Sequence, residues 1–192
     1  MKNTDIAPAV KQKVHFISLG CPKNLVDSEI MAGTLMKDGY EVVGEAEDAD
    51  TVIVNTCGFV EDSKKESIQR IFDMSALKEE GKIKKVVVAG CLTQRYKTDL
   101  VDSIPEADLF VGSGEFQNIS KILKNHDNGN KTKTFFNLPT YLQEAETPRV
   151  NSQPKHRAYL KISEGCMKRC AFCAIPLIRG NLQSRTINNV VN

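Results

Sequence analysis

No apolar run in the 192 residues approaches the roughly 18 residues that a membrane-spanning helix needs, so no membrane span is expected. The opening residues, MKNTDIAPAVKQ, lack the apolar core of a secretory signal. Charge of one sign is lacking as well: 26 lysines and arginines face 24 aspartates and glutamates, a net charge of +2. Charge alone therefore argues for neither a nucleic-acid nor a membrane surface. There is no repeat of solenoid type, and the three histidines show no spacing suited to a catalytic base. A phosphate loop is missing too. Gly112 and Gly114 in GSGE make only a G-x-G, which reads as a turn.

What remains is an ordinary globular composition, 41% hydrophobic and 26% charged, which excludes disorder or a collagen-like repeat for the bulk of the chain. At roughly 150 residues per domain, the length suits one domain and part of a second. A cytoplasmic location is expected, where thiols stay reduced. The six cysteines are then better explained by metal binding or catalysis than by disulfides.

Hydrophobic patterning predicts alternating strands and helices. Strands are expected at 13–19, 40–43, 51–55, 85–89 and 108–111, and helices at 25–37, 63–78, from 90 to about 101, and up to 124. The runs TVIVN and KVVVA are nearly continuous apolar stretches, as in strands covered on both faces. The order implies a parallel sheet flanked by helices, an α/β domain over 12–125. Residues 126–157 read as loop and linker, since 125–133 is polar and 143–157 has two prolines and few apolar side chains. A further strand is expected at 158–163 and the opening of a helix at 186–191. Residues 158–192 are too few to bury a core of their own.

The cysteines form two sets of three. Cys21, Cys57 and Cys91 each follow a predicted strand, with glycine beside or near them (GCP, NTCG, AGC). In open α/β sheets that edge binds ligands, and glycine lets backbone approach a bulky inorganic group. Unrelated core cysteines are the plain alternative, because free cysteine is often buried. Cys166, Cys170 and Cys173 form C-x3-C-x2-C, three thiols on one short loop. That donor set suits a soft metal or an iron–sulfur cluster. A zinc site would want a fourth ligand, which His126 or His156 could supply.

The loop, with aromatic Phe172 before its last cysteine, resembles the cluster motif of the radical S-adenosylmethionine superfamily. The three upstream cysteines narrow the resemblance to the methylthiotransferases. SLGCPKNLVDSE (18–29), VNTCGFV (54–60) with ESI (66–68), VVAGCLTQRY (87–96) and YLKISEGC through IP and RG (159–180) are similar to the branch acting on a ribosomal protein. Asn181 and Gln183 stand where that branch is expected to have Pro and Arg.

The resemblance implies an N-terminal methylthiotransferase domain followed by the start of a radical S-adenosylmethionine (β/α) barrel. In that family the barrel continues and a substrate-binding TRAM domain follows; neither is contained in these 192 residues, so the chain is expected to be a part of a longer protein and not to be active alone. It implies two 4Fe–4S clusters, one on Cys21, Cys57 and Cys91 and one on Cys166, Cys170 and Cys173. The second would bind S-adenosylmethionine at its open iron and yield a 5′-deoxyadenosyl radical, which takes hydrogen from the β-carbon of an aspartate in small-subunit ribosomal protein twelve. The first would carry or donate sulfur. A reductant such as flavodoxin or ferredoxin is the implied electron source.

Smaller expectations go with this. Asn24, Asp27 and Glu29 are read as lining the cluster pocket or as capping and flanking the first helix, with capping favoured for Asp27. Lys161, Arg179 and Arg185 are read either as S-adenosylmethionine contacts or as solvated charges. Three other functions compete: the same chemistry on tRNA, a non-catalytic iron–sulfur or zinc module, and a flavodoxin-like nucleotide-binding domain with incidental cysteines.

Overall fold

β-Branched runs make the strands, and amphipathic stretches between them make the helices that cover the sheet. The structure, a computed structural model, describes residues 11–191. In chain order the elements are β1 (Lys13–Ser18), α1 (Pro22–Lys37), β2 (Glu41–Val42), β3 (Thr51–Thr56), α2 (Glu61–Glu79), β4 (Lys85–Gly90), α3 (Cys91–Tyr96), α4 (Thr98–Ser103), β5 (Leu109–Gly112), α5 (Ile119–Asp127), β6 (Thr134–Phe135), β7 (Ser163–Glu164), α6 (Ile175–Arg179), β8 (Gln183–Ser184) and α7 (Ile187–Val191).

The first six strands form one parallel sheet in the order β2-β1-β3-β4-β5-β6. All five strands expected before residue 125 are present, and the sheet is parallel as expected. All six residues of β3 are buried, the signature of a strand covered on both sides. Alternate side chains go to opposite faces. Ile53, Val87, Leu109 and Val111 join Ile30, Met31 and Leu35 of α1 and Ile119 and Leu123 of α5 in one core. Val52, Val54, Val86, Val88 and Phe110 join Ile71 and Met74 of α2, Leu92 of α3 and Leu100 of α4 in the other. Each such fully buried side chain stabilises the fold by about 1.5–3 kcal/mol.

Beyond α6 and β8, which the sequence reading does not include, sequence and structure differ in three places. β6 was not anticipated; it pairs with β5 at the sheet edge, with Phe110 opposite Thr134 and Val111 opposite Phe135. Two residues carry no period to read. The helix expected from 90 to about 101 is two helices, broken at Lys97, whose φ is 46°. The strand expected at 158–163 shrinks to Ser163–Glu164, paired antiparallel with β8. Leu160 and Ile162 are exposed, and beyond β7 the pairing with β8 continues only through the Arg185 N–H, which donates to the Ile162 carbonyl at 2.9 Å. No described helix is long and apolar enough to cross a membrane.

Candidate functional site

The chain passes from β1 outward to β2 and then back across to β3, so the strand order reverses between β1 and β3. The outer ends of strands beside such a reversal form a crevice that binds ligands in open α/β sheets. Register makes these ends level: Ser18 lies beside Asn55, and Thr56 beside Gly90. Cys57 and Cys91 follow β3 and β4 directly, and Cys21 follows β1 after Leu19 and Gly20. The sheet thus brings the three upstream cysteines to one rim, flanking the reversal.

Two glycines make the rim possible. Gly20 has φ +90°, and a Cβ there would lie 2.6 Å from the Cys57 Cβ. Gly90 has φ +97° and ψ −150°, a conformation essentially confined to glycine. A Cβ there would lie 2.2 Å from Asn55 Oδ1.

Buried polar side chains fix the rim loops. Asn24, at the start of α1, donates from Nδ2 to the carbonyls of Leu19 (3.0 Å) and Thr56 (2.8 Å). Asn55 donates to the Asn24 carbonyl (2.8 Å) and to Ser28 Oγ (2.9 Å). Ser67 of α2 clamps Cys57 on both sides, accepting from its N–H (3.0 Å) and donating to its carbonyl (3.1 Å). Arg95 donates to the Gly58 carbonyl at 2.7 Å. Of these, Asn55, Ser67 and Arg95 were not singled out from sequence. Asn55 had a signal, a lone amide at the end of an apolar strand; Ser67 and Arg95 sit among other polar helix residues and had none.

The six cysteines are all free thiols. Cys57 and Cys91 are buried, Cys166 and Cys173 are half-buried, and Cys21 and Cys170 are exposed. Cys91 lies under Ala174 and Ile178, and Ser113 donates to the Ile178 carbonyl, which seats α6 on the rim. Burial pushes the Cys91 thiol up to about 11, against the pull of Arg179. The downstream loop is tight: the Cys173 N–H donates to the Cys170 carbonyl at 3.0 Å, and the Cys166 N–H to Gly180 at 3.1 Å.

A charged cluster joins the downstream segment to α1. Arg179 is buried, at 3% exposure. One guanidinium nitrogen donates to Asp27 and to Glu164 (3.3 Å), the other to Asn24 Oδ1 and to Cys91 Sγ (3.1 Å). Lys161 pairs with Asp27 at 2.7 Å and also with Glu164. Burial pushes the Glu164 carboxyl up, but Arg179 and Lys161 outweigh it and hold it down at about 2. Asp27 therefore does not cap α1, which has no side-chain cap; it faces inward, and two cations drawn from the downstream segment repay its burial. Lys161 and Arg179 are likewise paired and buried rather than solvated. Arg185 is tied to its own neighbourhood, through Asn189 and the Lys161 carbonyl. Glu29 accepts from Arg149 (2.8 Å) and Ser152 (2.7 Å).

Among the described residues, no three His, Cys, Asp or Glu side chains stand close enough to share one metal ion. The donor chemistry of each cysteine set nevertheless fits an iron–sulfur cluster, whose separate irons take one thiolate each. His126 and His156 join neither set in a shared-ion arrangement.

A family model described as uncharacterized protein family UPF0004 matches residues 13–112. Similar curated proteins bear the name ribosomal protein uS12 methylthiotransferase RimO. One from Bdellovibrio bacteriovorus is 86% identical over 183 residues, 95% of this chain and 40% of the relative. One from Trichlorobacter lovleyi is 44% identical over 181 residues, 94% of this chain and 40% of the relative. One from Caldicellulosiruptor saccharolyticus is 46% identical over 180 residues, 93% and 41% of the respective lengths. The chain spans about 40% of the length of these relatives.

Proposed function

The chain belongs to the family described as uncharacterized protein family UPF0004, and from that premise we propose that it is the N-terminal part of a radical S-adenosylmethionine methylthiotransferase. Its substrate is an aspartate of ribosomal protein uS12, which gains a methylthio group on the β-carbon. One observation carries the reading. A rim of three thiols and a C-x3-C-x2-C loop occur in one chain, which is 86% identical over 95% of its length to a protein named uS12 methylthiotransferase.

In this reading Cys21, Cys57 and Cys91 hold one 4Fe–4S cluster, and Cys166, Cys170 and Cys173 hold another and, through it, S-adenosylmethionine. Such clusters supply one-electron reduction of the sulfonium, and sulfur for transfer. The protein's own contribution is placement. Gly20 and Gly90 clear space at the rim, and Asn24, Asn55 and Ser67 fix the backbone on which two of its thiols ride. Arg179, Lys161 and Asp27 dock the downstream segment on α1, and α6 shields Cys91 from water. The division we assign is 12–125 for the methylthiotransferase domain, 126–157 for loop and linker, and 158–192 for the start of the catalytic barrel. Flavodoxin or ferredoxin is a fitting reductant and the cytoplasm a fitting compartment, since the reaction needs reduced thiols.

The test uses this chain completed with the remaining residues of the Bdellovibrio relative. The complete protein should cleave S-adenosylmethionine reductively and add a methylthio mass to uS12 but not to tRNA. Cys166→Ala should abolish the cleavage. Normal cleavage in that variant, or modification of tRNA alone, contradicts the proposal.

A further inference from the structure

We propose that Arg179 is a positioning residue of the upstream cysteine site, supplied to it by the segment that carries the downstream cysteines. This rests on the reading of Cys21, Cys57 and Cys91 as cluster ligands. Arg179 closes α6, shortly after Cys173, yet its guanidinium reaches the sulfur of Cys91 on the sheet rim.

The geometry divides its donors by task. One nitrogen serves the two carboxylates, Asp27 and Glu164. The other serves Cys91 Sγ and Asn24 Oδ1, and Asn24 Oδ1 also accepts the Cys91 S–H at 3.2 Å. Arg179 and Asn24 therefore meet at one sulfur. The opposite end of the Asn24 amide holds the carbonyls of Leu19 and Thr56, which immediately precede the loops of Cys21 and Cys57. Arg179 and Asn24 together touch the surroundings of all three upstream cysteines.

Lys161 also serves Asp27 and Glu164, which leaves the second guanidinium nitrogen of Arg179 to Asn24 and the sulfur. Charged N–H groups on cluster sulfurs favour the reduced, more negative state and so raise the potential. Arg179 would tune the upstream cluster only when the downstream segment is docked, linking the two sites.

The test starts from the chain carrying Cys166→Ala, Cys170→Ala and Cys173→Ala, so that bound iron reports the upstream site alone. In this background Arg179→Gln should keep iron content and shift the midpoint potential to lower values. Arg179→Lys, which keeps a charged donor, should return most of the shift. Loss of iron in Arg179→Gln with retention in Arg179→Lys supports the proposal equally. Equal potentials in all three at equal iron overturn it. A second readout needs no cluster: maleimide labelling of Cys91 in the metal-free chain should speed up several-fold in Arg179→Ala, because the guanidinium covers the sulfur. Unchanged labelling overturns the contact itself. Absence of iron in the unsubstituted chain, with labelling still faster in Arg179→Ala, overturns the cluster reading and leaves the Arg179–Cys91 contact supported.

Discussion

The two cysteine sets are built on opposite plans. The upstream thiols are far apart in sequence and are assembled by a sheet whose strands are buried and whose register aligns their ends. The downstream thiols are neighbours in sequence and need only a loop. Their surroundings, residues 158–191, contain two-residue strands, short helices and exposed Leu160, Phe172, Leu177 and Ile187. The first site takes its shape from core packing. The second takes its place from a few buried charges, chiefly Asp27, Arg179, Lys161 and Glu164. Damage to packing should therefore disturb the first, and damage to charge the second.

Asp27→Ala is the strongest way to separate them. Removing one partner of a buried ion pair costs about 3–5 kcal/mol, because the remaining charges stay buried without compensation. Residues 158–191 should undock, and limited proteolysis should cut there much faster while the sheet stays intact. Equal cleavage of the variant and the parent would mean that charge does not hold the segment.

Gly90→Ala should act on the sheet rim instead. A residue other than glycine in this backbone region costs about 1–3 kcal/mol, and the added Cβ would meet Asn55. Thermal unfolding should occur at lower temperature, and the chain should lose the upstream iron while keeping the downstream. Ser67→Ala sharpens the contrast at smaller cost. It leaves the Cys57 N–H and carbonyl without their partner, worth about 1–3 kcal/mol by denaturant titration.

The smallest effect belongs to Asp50, which accepts from the Lys13 N–H (2.9 Å) and pairs with Lys84 (2.7 Å) at the opposite end of the sheet from the cysteines. The Lys13 N–H and Lys84 hold its carboxyl below the ordinary range, outweighing burial. A folded-state value below the unfolded one means a contribution that is complete above the ordinary carboxylate pKa and fades as pH falls beneath it. Asp50→Asn should cost about 1 kcal/mol at neutral pH and progressively less on acidification, with iron content unchanged at neutral pH.

Legibility followed the same division. Strands buried on both faces announce themselves as unbroken Val and Ile runs, so the sheet core and the rim position of Cys21, Cys57 and Cys91 could be read directly. The edge strand β6 could not, since Thr134 and Phe135 alone have no period. The segment 158–163 alternates well enough to pass for a strand, but pairing depends on a neighbour that local sequence does not reveal. Of the two readings of Asp27, capping is the commoner for an aspartate near a helix start, but its inward pairing depends on Lys161 and Arg179, distant in sequence. Arg179 offers two readings, cofactor contact or solvated charge, and its burial overturns the second. Its place on Cys91 follows from four partners distant in sequence.

Iron and acid-labile sulfide per chain, measured after anaerobic reconstitution, test the central claim most directly. Two 4Fe–4S clusters require about eight of each, falling to about four when either cysteine set is replaced by alanine. Zinc without sulfide, or iron that persists when both sets are replaced, would contradict the account.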